Sequence, residues 1–268
     1  MKTPKHCDID LDNWKDCIGD ITTNSRWLSN LNDKPVFGHY LIPERDYKQD
    51  KDHHGLWIPE IPYQMIKRFT KKGEKIWSQF GGTGIDYDVA IDLGRRCIIN
   101  DLIPKREFIE KADSLEFIPS LKGELKMILS HPPYWDIVKY SDKEEDGSNK
   151  KTLKDFLLWW KDLVIHSEKF LQKDGYFILA CGNVYKNSEE IELGEMLKNI
   201  VLSQGFILKQ HIIKDYGESK GSSGKNYNLN YYRQLKGGYG NFYGDNIYVL
   251  QKKKTKNKII ETYKELLF

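Results

Sequence analysis

The feature that most constrains the fold of this chain is an alternation. Short apolar runs recur at "EKIWSQF" (74–80), "RCIIND" (96–101), "LKMILS" (125–130), "GYFILACGN" (175–183), "FILKQHIIK" (206–214) and "NIYVLQK" (246–252). Segments with helical spacing lie between most of them. In "YQMIKRFTKKG" (63–73) the residues Met65, Ile66 and Phe69 share one face, and Gly73 suggests a C-cap. Residues 85–94, 153–171 and 189–205 also have helical spacing, with Phe156, Trp159, Trp160, Leu163 and Val164 forming one core stripe. Strands that are apolar on both faces need helices on both faces. The pattern therefore predicts a mostly parallel, doubly wound α/β sheet. No helical segment separates the last two runs, so the last strand is expected to be antiparallel.

The 268 residues suffice for one large α/β domain or two small ones. Residues 1–52 are polar and weakly periodic, and read as an irregular arm. Residues 53–258 read as the main domain, and 259–268 as a tail or short helix. The N-terminus lacks a signal-peptide run, and no apolar stretch approaches the ~20 residues that span a bilayer. A soluble protein of the cytoplasm is expected, with no membrane partner. Cysteines 7, 17, 97 and 181 have no paired spacing, so free thiols are expected and no metal site. The net charge is only +3, but from Lys209 to Lys258 eleven Lys/Arg face three acids. That basic stretch, interleaved with Tyr and Asn, suits phosphates and bases; a solvated lysine-rich face is the structural alternative.

Three local signals describe a ligand pocket. "FGGTG" (80–84) lies between a strand and a helix, where glycines let the backbone approach a ligand and expose N–H groups. It is neither GxGxxG nor a P-loop. The next strand ends in Asn100-Asp101, an acid placed to accept hydrogen bonds from a ribose diol or, alternatively, to cap a helix. Asp113 follows a further short strand, near where an adenine ring would lie. Together they fit an adenosyl group that need not carry phosphates, which points to S-adenosylmethionine.

The run 125–130 then breaks into His131-Pro132-Pro133-Tyr134. Two prolines stiffen the backbone and fix its carbonyls as rigid acceptors. An exocyclic amine conjugated to an aromatic ring is a poor nucleophile. Acceptors for both its N–H groups draw the nitrogen toward sp³ and hold it in line with a methyl donor. Tyr134 is placed to stack on a flipped base.

The order "FGGTG", "ND", "ADS", "HPPY" resembles the amino-group (N6-adenine/N4-cytosine) DNA methyltransferases, within an HPPY-type subgroup. The likeness runs through about residues 54–185. "HHGLWIPEIPYQMIKRF" (53–69) resembles the helix that precedes the FxGxG loop in that family, "LGRRCIINDLIP" (93–104) its second-strand region and "GYFILACGNVY" (175–185) its fifth strand. The resemblance implies a Rossmann-like S-adenosylmethionine-dependent methyltransferase fold. It implies that Phe80, Gly82, Gly84, Asp101 and Asp113 bind the cofactor, and that His131, Pro132, Pro133 and Tyr134 engage the target amine. The chain departs from the family in two places: Ser78-Gln79 replaces an Asp-Pro, and His131 replaces Asp, Asn or Ser. Neutral imidazole offers one acceptor nitrogen and imidazolium none, so activity is expected to fall as His131 protonates.

Little length remains for a recognition domain. The Gly/Ser/Asn/Tyr-rich stretch 215–245 is the candidate recognition loop. Lys225 and Arg233 are placed for phosphates or guanine edges, and Tyr231 and Tyr232 for stacking. The expected partner is double-stranded DNA with a flipped base, with a homodimer or a cognate restriction or specificity subunit supplying further surface. The expected role is restriction-modification or an orphan mark. The rival readings are an RNA or protein amine methyltransferase, and a non-catalytic nucleic-acid-binding subunit.

Overall fold

The computed structural model describes residues 6–17, 20–28, 40, 41, 55, 58–119, 124–215, 232, 234–240, 242 and 244–253. Among these, a nine-stranded sheet forms the middle layer. Its strands are β1 (Arg26–Leu28), β2 (Tyr40–Leu41), β3 (Lys75–Gln79), β4 (Arg96–Asp101), β5 (Glu110–Lys111), β6 (Leu125–Ser130), β7 (Leu171–Cys181), β10 (Phe206–Asp215) and β11 (Gly244–Lys252). A separate hairpin holds β8 (Val184–Lys186) and β9 (Glu189–Ile191). The sheet order is β2-β1-β10-β11-β7-β6-β3-β4-β5. All neighbours are parallel except that β11 runs antiparallel to both β10 and β7. This is the mostly parallel sheet with an antiparallel last strand that the residue pattern implied, and the Rossmann-like arrangement that the resemblance implied.

Four helices cover the two faces. Helix α1 (Glu60–Phe69) and α2 (Ile85–Asp92) pack Ile61, Met65, Ile66, Val89 and Ala90 on Ile76, Met127, Ile178 and Val249. Helix α3 (Leu153–Glu168) and α4 (Leu193–Ser203) pack Phe156, Trp160, Leu163, Leu197 and Val201 on Trp77, Ile128, Phe177, Phe206 and Leu250. Strands β3, β6 and β7 are apolar on both sides because alternate side chains enter different cores. In β7, Phe177 and Leu179 face α3 and α4, while Ile178 and Ala180 face α1 and α2. Thr152 caps α3 by accepting the Asp155 N–H at 3.1 Å.

Three local expectations need correction. Gly73 does not cap α1. The helix stops at Phe69, where the Thr70 hydroxyl donates to the Ile66 carbonyl at 2.6 Å, and Gly73 sits in the following turn at φ +79°. Residues 189–191 are not helical, because they pair with 184–186. Residues 234–237 are helical within a stretch expected to be a loop. The polar N-terminal stretch also contributes to the sheet: β1 aligns with β10, and the Arg26 guanidinium donates twice to Asp215 Oδ2, at 2.7 and 3.0 Å.

Candidate functional site

Strands β3 and β6 are neighbours at the point where the chain reverses its winding direction across the sheet. Ligands of open α/β sheets sit outside the carboxyl ends of the strands at such a point. The two strands end in register, with Gln79 opposite Ser130. Residues 80–84 and 131–134 therefore leave the sheet side by side, on the same edge. A non-glycine residue in the left-handed region marks each, Phe80 at φ +57° within the first bend and Trp135 at φ +52° directly after the second. Such backbone persists only where surrounding contacts hold it, and it concentrates at functional bends.

The glycine turn is clamped to the end of β4. The Gly81 N–H donates to the Asn100 carbonyl at 2.9 Å, and the Gly84 N–H to the Gly81 carbonyl at 2.7 Å. A Cβ at Gly81 would meet Ile99 Cγ1 at 2.4 Å, so the backbone lies directly on that side chain. Gly84, at φ +82°, lies against Phe108. Asp101 binds both neighbouring loops: its Oδ2 accepts the Gly82 N–H and its Oδ1 the Ile103 N–H, each at 2.8 Å. A carboxylate has about four lone-pair positions, so two such bonds leave acceptor capacity on both oxygens. Phe80 packs against Trp159 of α3, with ring centroids 5.9 Å apart.

Asn100, one residue before, is fully buried. Its Oδ1 accepts the Trp77 indole N–H at 2.7 Å, and its amide donates to the Ala112 carbonyl and the Ser114 hydroxyl. That network fixes residues 112–114 beside the turn, and with them Asp113. Asp113 is half-buried and accepts the Leu115 N–H at 3.0 Å. Burial holds its carboxyl above the ordinary range, with Glu116 and Glu145 adding to the effect.

Both residues of the strand end that departs from the family pattern donate a side-chain hydrogen bond. The Ser78 hydroxyl donates at 2.7 Å to Asp86 Oδ2, and both residues are buried. A carboxylate therefore lies under the glycine turn, supplied by the first turn of α2. Nothing in the residue pattern singles out Asp86, since an acid in the first turn of a helix is ordinary. Gln79 donates to the Ser167 hydroxyl of α3 at 2.7 Å.

At the second bend, His131 Nε2 and the Tyr134 hydroxyl are 3.1 Å apart. That hydroxyl also donates to Asp245 Oδ1 at 3.2 Å, and the Lys214 ammonium lies 3.5 Å from Asp245 Oδ2. Asp245 and Lys214 come from β11 and β10, about eighty to more than a hundred residues further along the chain. Sequence reasoning missed both. The bend is braced from outside by the β8–β9 hairpin: the Lys186 ammonium lies 4.1 Å over the Trp135 ring and pairs with Asp136. Trp135 also donates to the Lys150 carbonyl at 2.9 Å.

Two lysines of the basic stretch are thus internal. Lys214 serves Asp245, and Lys252 binds the Glu168 and Leu171 carbonyls. Of the recognition candidates, Tyr232 is exposed, while Lys225, Tyr231 and Arg233 lie outside the described residues. Nearby, Tyr239 stacks on Tyr185 of the hairpin at 4.0 Å. Among the described residues, no group of three or more His, Cys, Asp or Glu side chains is placed to hold a metal ion, and no helix is long and apolar enough to cross a membrane.

The site fits an adenosyl ligand on its own features. Asp101 keeps acceptor capacity at the end of β4, Asp113 is held beside it, and the glycine backbone is pressed back against β4. The Thr83, Ser130 and Gln79 side-chain oxygens at the same strand ends are buried with no partner among the described residues.

No protein-family model matches the chain, and no curated protein matches its sequence significantly. Solved structures share the arrangement of elements distantly. TrmN from Thermus thermophilus is 17% identical, with a TM-score of 0.47, over 74% of this chain and 50% of that one. Haemonchus contortus phosphoethanolamine N-methyltransferase 2, bound to phosphomonomethylethanolamine and S-adenosylhomocysteine, is 10% identical, with a TM-score of 0.45, over 72% and 52%. Burkholderia thailandensis 1,6-didemethyltoxoflavin-N1-methyltransferase is 9% identical, with a TM-score of 0.43, over 68% and 72%. The chain spans about half the length of the first two. At these values the likeness assigns no substrate, and the architecture stands on the strand order itself.

Proposed function

We propose that this chain is a methyltransferase that carries a methyl group from S-adenosylmethionine to the exocyclic amine of adenine or cytosine in DNA. One observation carries the reading. The glycine turn and the His-Pro-Pro-Tyr bend leave paired strand ends, Gln79 and Ser130, at the switch point of the sheet. Two bends side by side in this way support transfer between a cofactor held in one and an amine held in the other.

When bound, S-adenosylmethionine supplies an electrophilic methyl on a sulfonium. The backbone of Phe80, Gly82 and Gly84 would border it, Asp101 would accept from its ribose, and Asp113 from its adenine amino group. The Pro132 carbonyl and the His131 imidazole accept from the two N–H bonds of the target amine. Pro133 keeps that carbonyl from reorienting, and Tyr134 presents a ring face to the base. Outside the bend, the exposed Tyr232 is assigned to contact with the DNA strand. The biological role assigned is restriction-modification or an orphan mark, in the cytoplasm.

The test is methylation-aware sequencing of DNA from cells expressing the chain, beside a Tyr134→Ala control. One modified base in one sequence context, absent from the control, is expected. Unmodified DNA together with transfer of labelled methyl to RNA or protein would overturn the DNA reading. Failure to bind S-adenosylmethionine in calorimetry would overturn the enzyme reading.

A further inference from the structure

We infer that Arg106 is a positioning residue for the cofactor: it clasps the glycine turn and holds the Thr83–Gly84 peptide in its ligand-binding form. The inference rests on the methyl-transfer reading only for the cofactor affinity it predicts. Arg106 lies in the segment that joins β4 to β5. Its Nη1 donates to the Thr83 carbonyl at 3.3 Å, and Nη1 and Nη2 donate to the two Asp88 carboxylate oxygens at 2.5 and 3.0 Å. One planar guanidinium thus ties the glycine turn to the first turn of α2, which an ammonium could not do with the same geometry. Its central carbon lies 4.3 Å over the Phe108 ring, and Phe108 stacks on Tyr87 of α2 with centroids 4.3 Å apart. Phe108 in turn meets the glycine turn: a Cβ at Gly84 would lie 2.8 Å from its Cζ and 3.4 Å from Ile109 Cδ1.

The turn needs such a hold. Gly82 and Gly84 have φ of +49° and +82°, and glycine passes between backbone regions more freely than any other residue. The start of the same segment grips the turn too, because Asp101 accepts both the Gly82 and the Ile103 N–H. The carboxylate thus fixes a donor of the turn, and the guanidinium fixes an acceptor one residue later. The Gly84 carbonyl is engaged as well, by the Tyr87 and Asp88 N–H groups at 3.1 and 3.2 Å. A loop that orders itself only on binding lowers the apparent affinity by the fraction of molecules in the competent form. Arg106 raises that fraction before the ligand arrives, without touching the ligand. Arg106 and Asp88 are both partly exposed, so solvent screens their pairing and the effect is a modest one.

The test pairs amide hydrogen exchange with calorimetry on the full chain. The Gly84 N–H, bonded to the Gly81 carbonyl at 2.7 Å, reports opening of the turn. In Arg106→Gln its exchange is expected to be about tenfold faster, while Ile128 and Phe177 of the central strands change far less. The Kd for S-adenosylhomocysteine is expected to rise about three- to tenfold in the same variant. Arg106→Lys keeps the charge and loses the fork, so it is expected to fall between wild type and Arg106→Gln on both readouts. Unchanged Gly84 exchange in Arg106→Gln overturns the inference. So does faster exchange with an unchanged Kd, or an equal acceleration at Gly84 and in the central strands. If Arg106→Gln does not fold, Arg106→Lys decides alone on the same two readouts. Exchange needs neither cofactor nor DNA, so failure of the clasp is separable from failure of the methyl-transfer reading.

Discussion

Asp113 is a single carboxyl whose ionised form works against the fold. Burial raises its pKa above the ordinary carboxyl value of 3.8. The sign follows from linkage. A carboxyl whose folded pKa is raised contributes stability below its unfolded pKa and loses it as pH rises through the folded value. At neutral pH the ionised Asp113 therefore opposes folding. Asp113→Asn keeps the acceptor for the Leu115 N–H and removes the charge. Its melting temperature is expected to exceed the wild type's at pH 7, with the gap closing as pH falls toward 3.8. Under the proposed function, the same variant binds S-adenosylmethionine about three- to tenfold more weakly, because a neutral acceptor replaces a charged one. Thermal melts across pH and calorimetry at pH 7 check the two halves; a variant less stable at pH 7 than at pH 4 relative to wild type would contradict the first. Asp101 and the tetrad were visible in the sequence because Asp101 closes one apolar run and His131 follows another, while Asp113 was read from its place after a further short strand. Asp245 was not, because its relation to Tyr134 spans 111 residues and is created only when β11 inserts beside β7.

At the scale of elements, the site is a junction of strand ends, and Asn100 ties that junction together. It joins Trp77 of β3 to residues 112–114 through three hydrogen bonds, and Asn100 and Trp77 are both fully buried. Removing the side chain leaves a buried indole N–H without an acceptor and a small cavity. Leaving such a donor unsatisfied costs about 1–3 kcal/mol, and the cavity adds to it. Asn100→Ala is expected to lose about 2–4 kcal/mol in urea unfolding and to weaken cofactor binding, since Asp113 is no longer held. Loss of stability with cofactor affinity unchanged would show that Asp113 does not need this support. The six long strands were legible, because apolar runs of six to nine residues between turn signals leave few other structures open to them. The β8–β9 hairpin was not. Its residues Glu189–Ile191 continue into α4 with a spacing that a helix also satisfies, and only pairing with Val184–Lys186 decides against it. The hairpin matters because Lys186 reaches back to Trp135 and Asp136, so an element unseen in the sequence braces the bend that was most visible there.

Over the whole molecule, the site and the core share their central strands. Cys181 ends β7, which lies between β6 and β11, and its thiol is fully buried. Burial pushes its pKa well up, with the nearby Asp245 adding to the effect. A thiol with both properties does not react from the native state, since the thiolate is the reactive form. Its modification requires an opening that separates β7 from its neighbours, which in the middle of a continuous sheet is close to global unfolding. Any ligand that binds only the folded chain lowers the population of that open state by the factor 1 + [L]/Kd. At a hundredfold excess over Kd, S-adenosylmethionine or S-adenosylhomocysteine is therefore expected to slow Cys181 labelling about a hundredfold. The rate is read by mass spectrometry of the peptide that contains it. Adenosine at the same multiple of its own Kd should protect equally, because the linkage depends on occupancy and not on which part of the ligand is held. Rapid labelling of Cys181 in the free protein would mean that β7 opens locally at its carboxyl end, and the bend that leaves the neighbouring β6 could not then be a rigid acceptor for an amine.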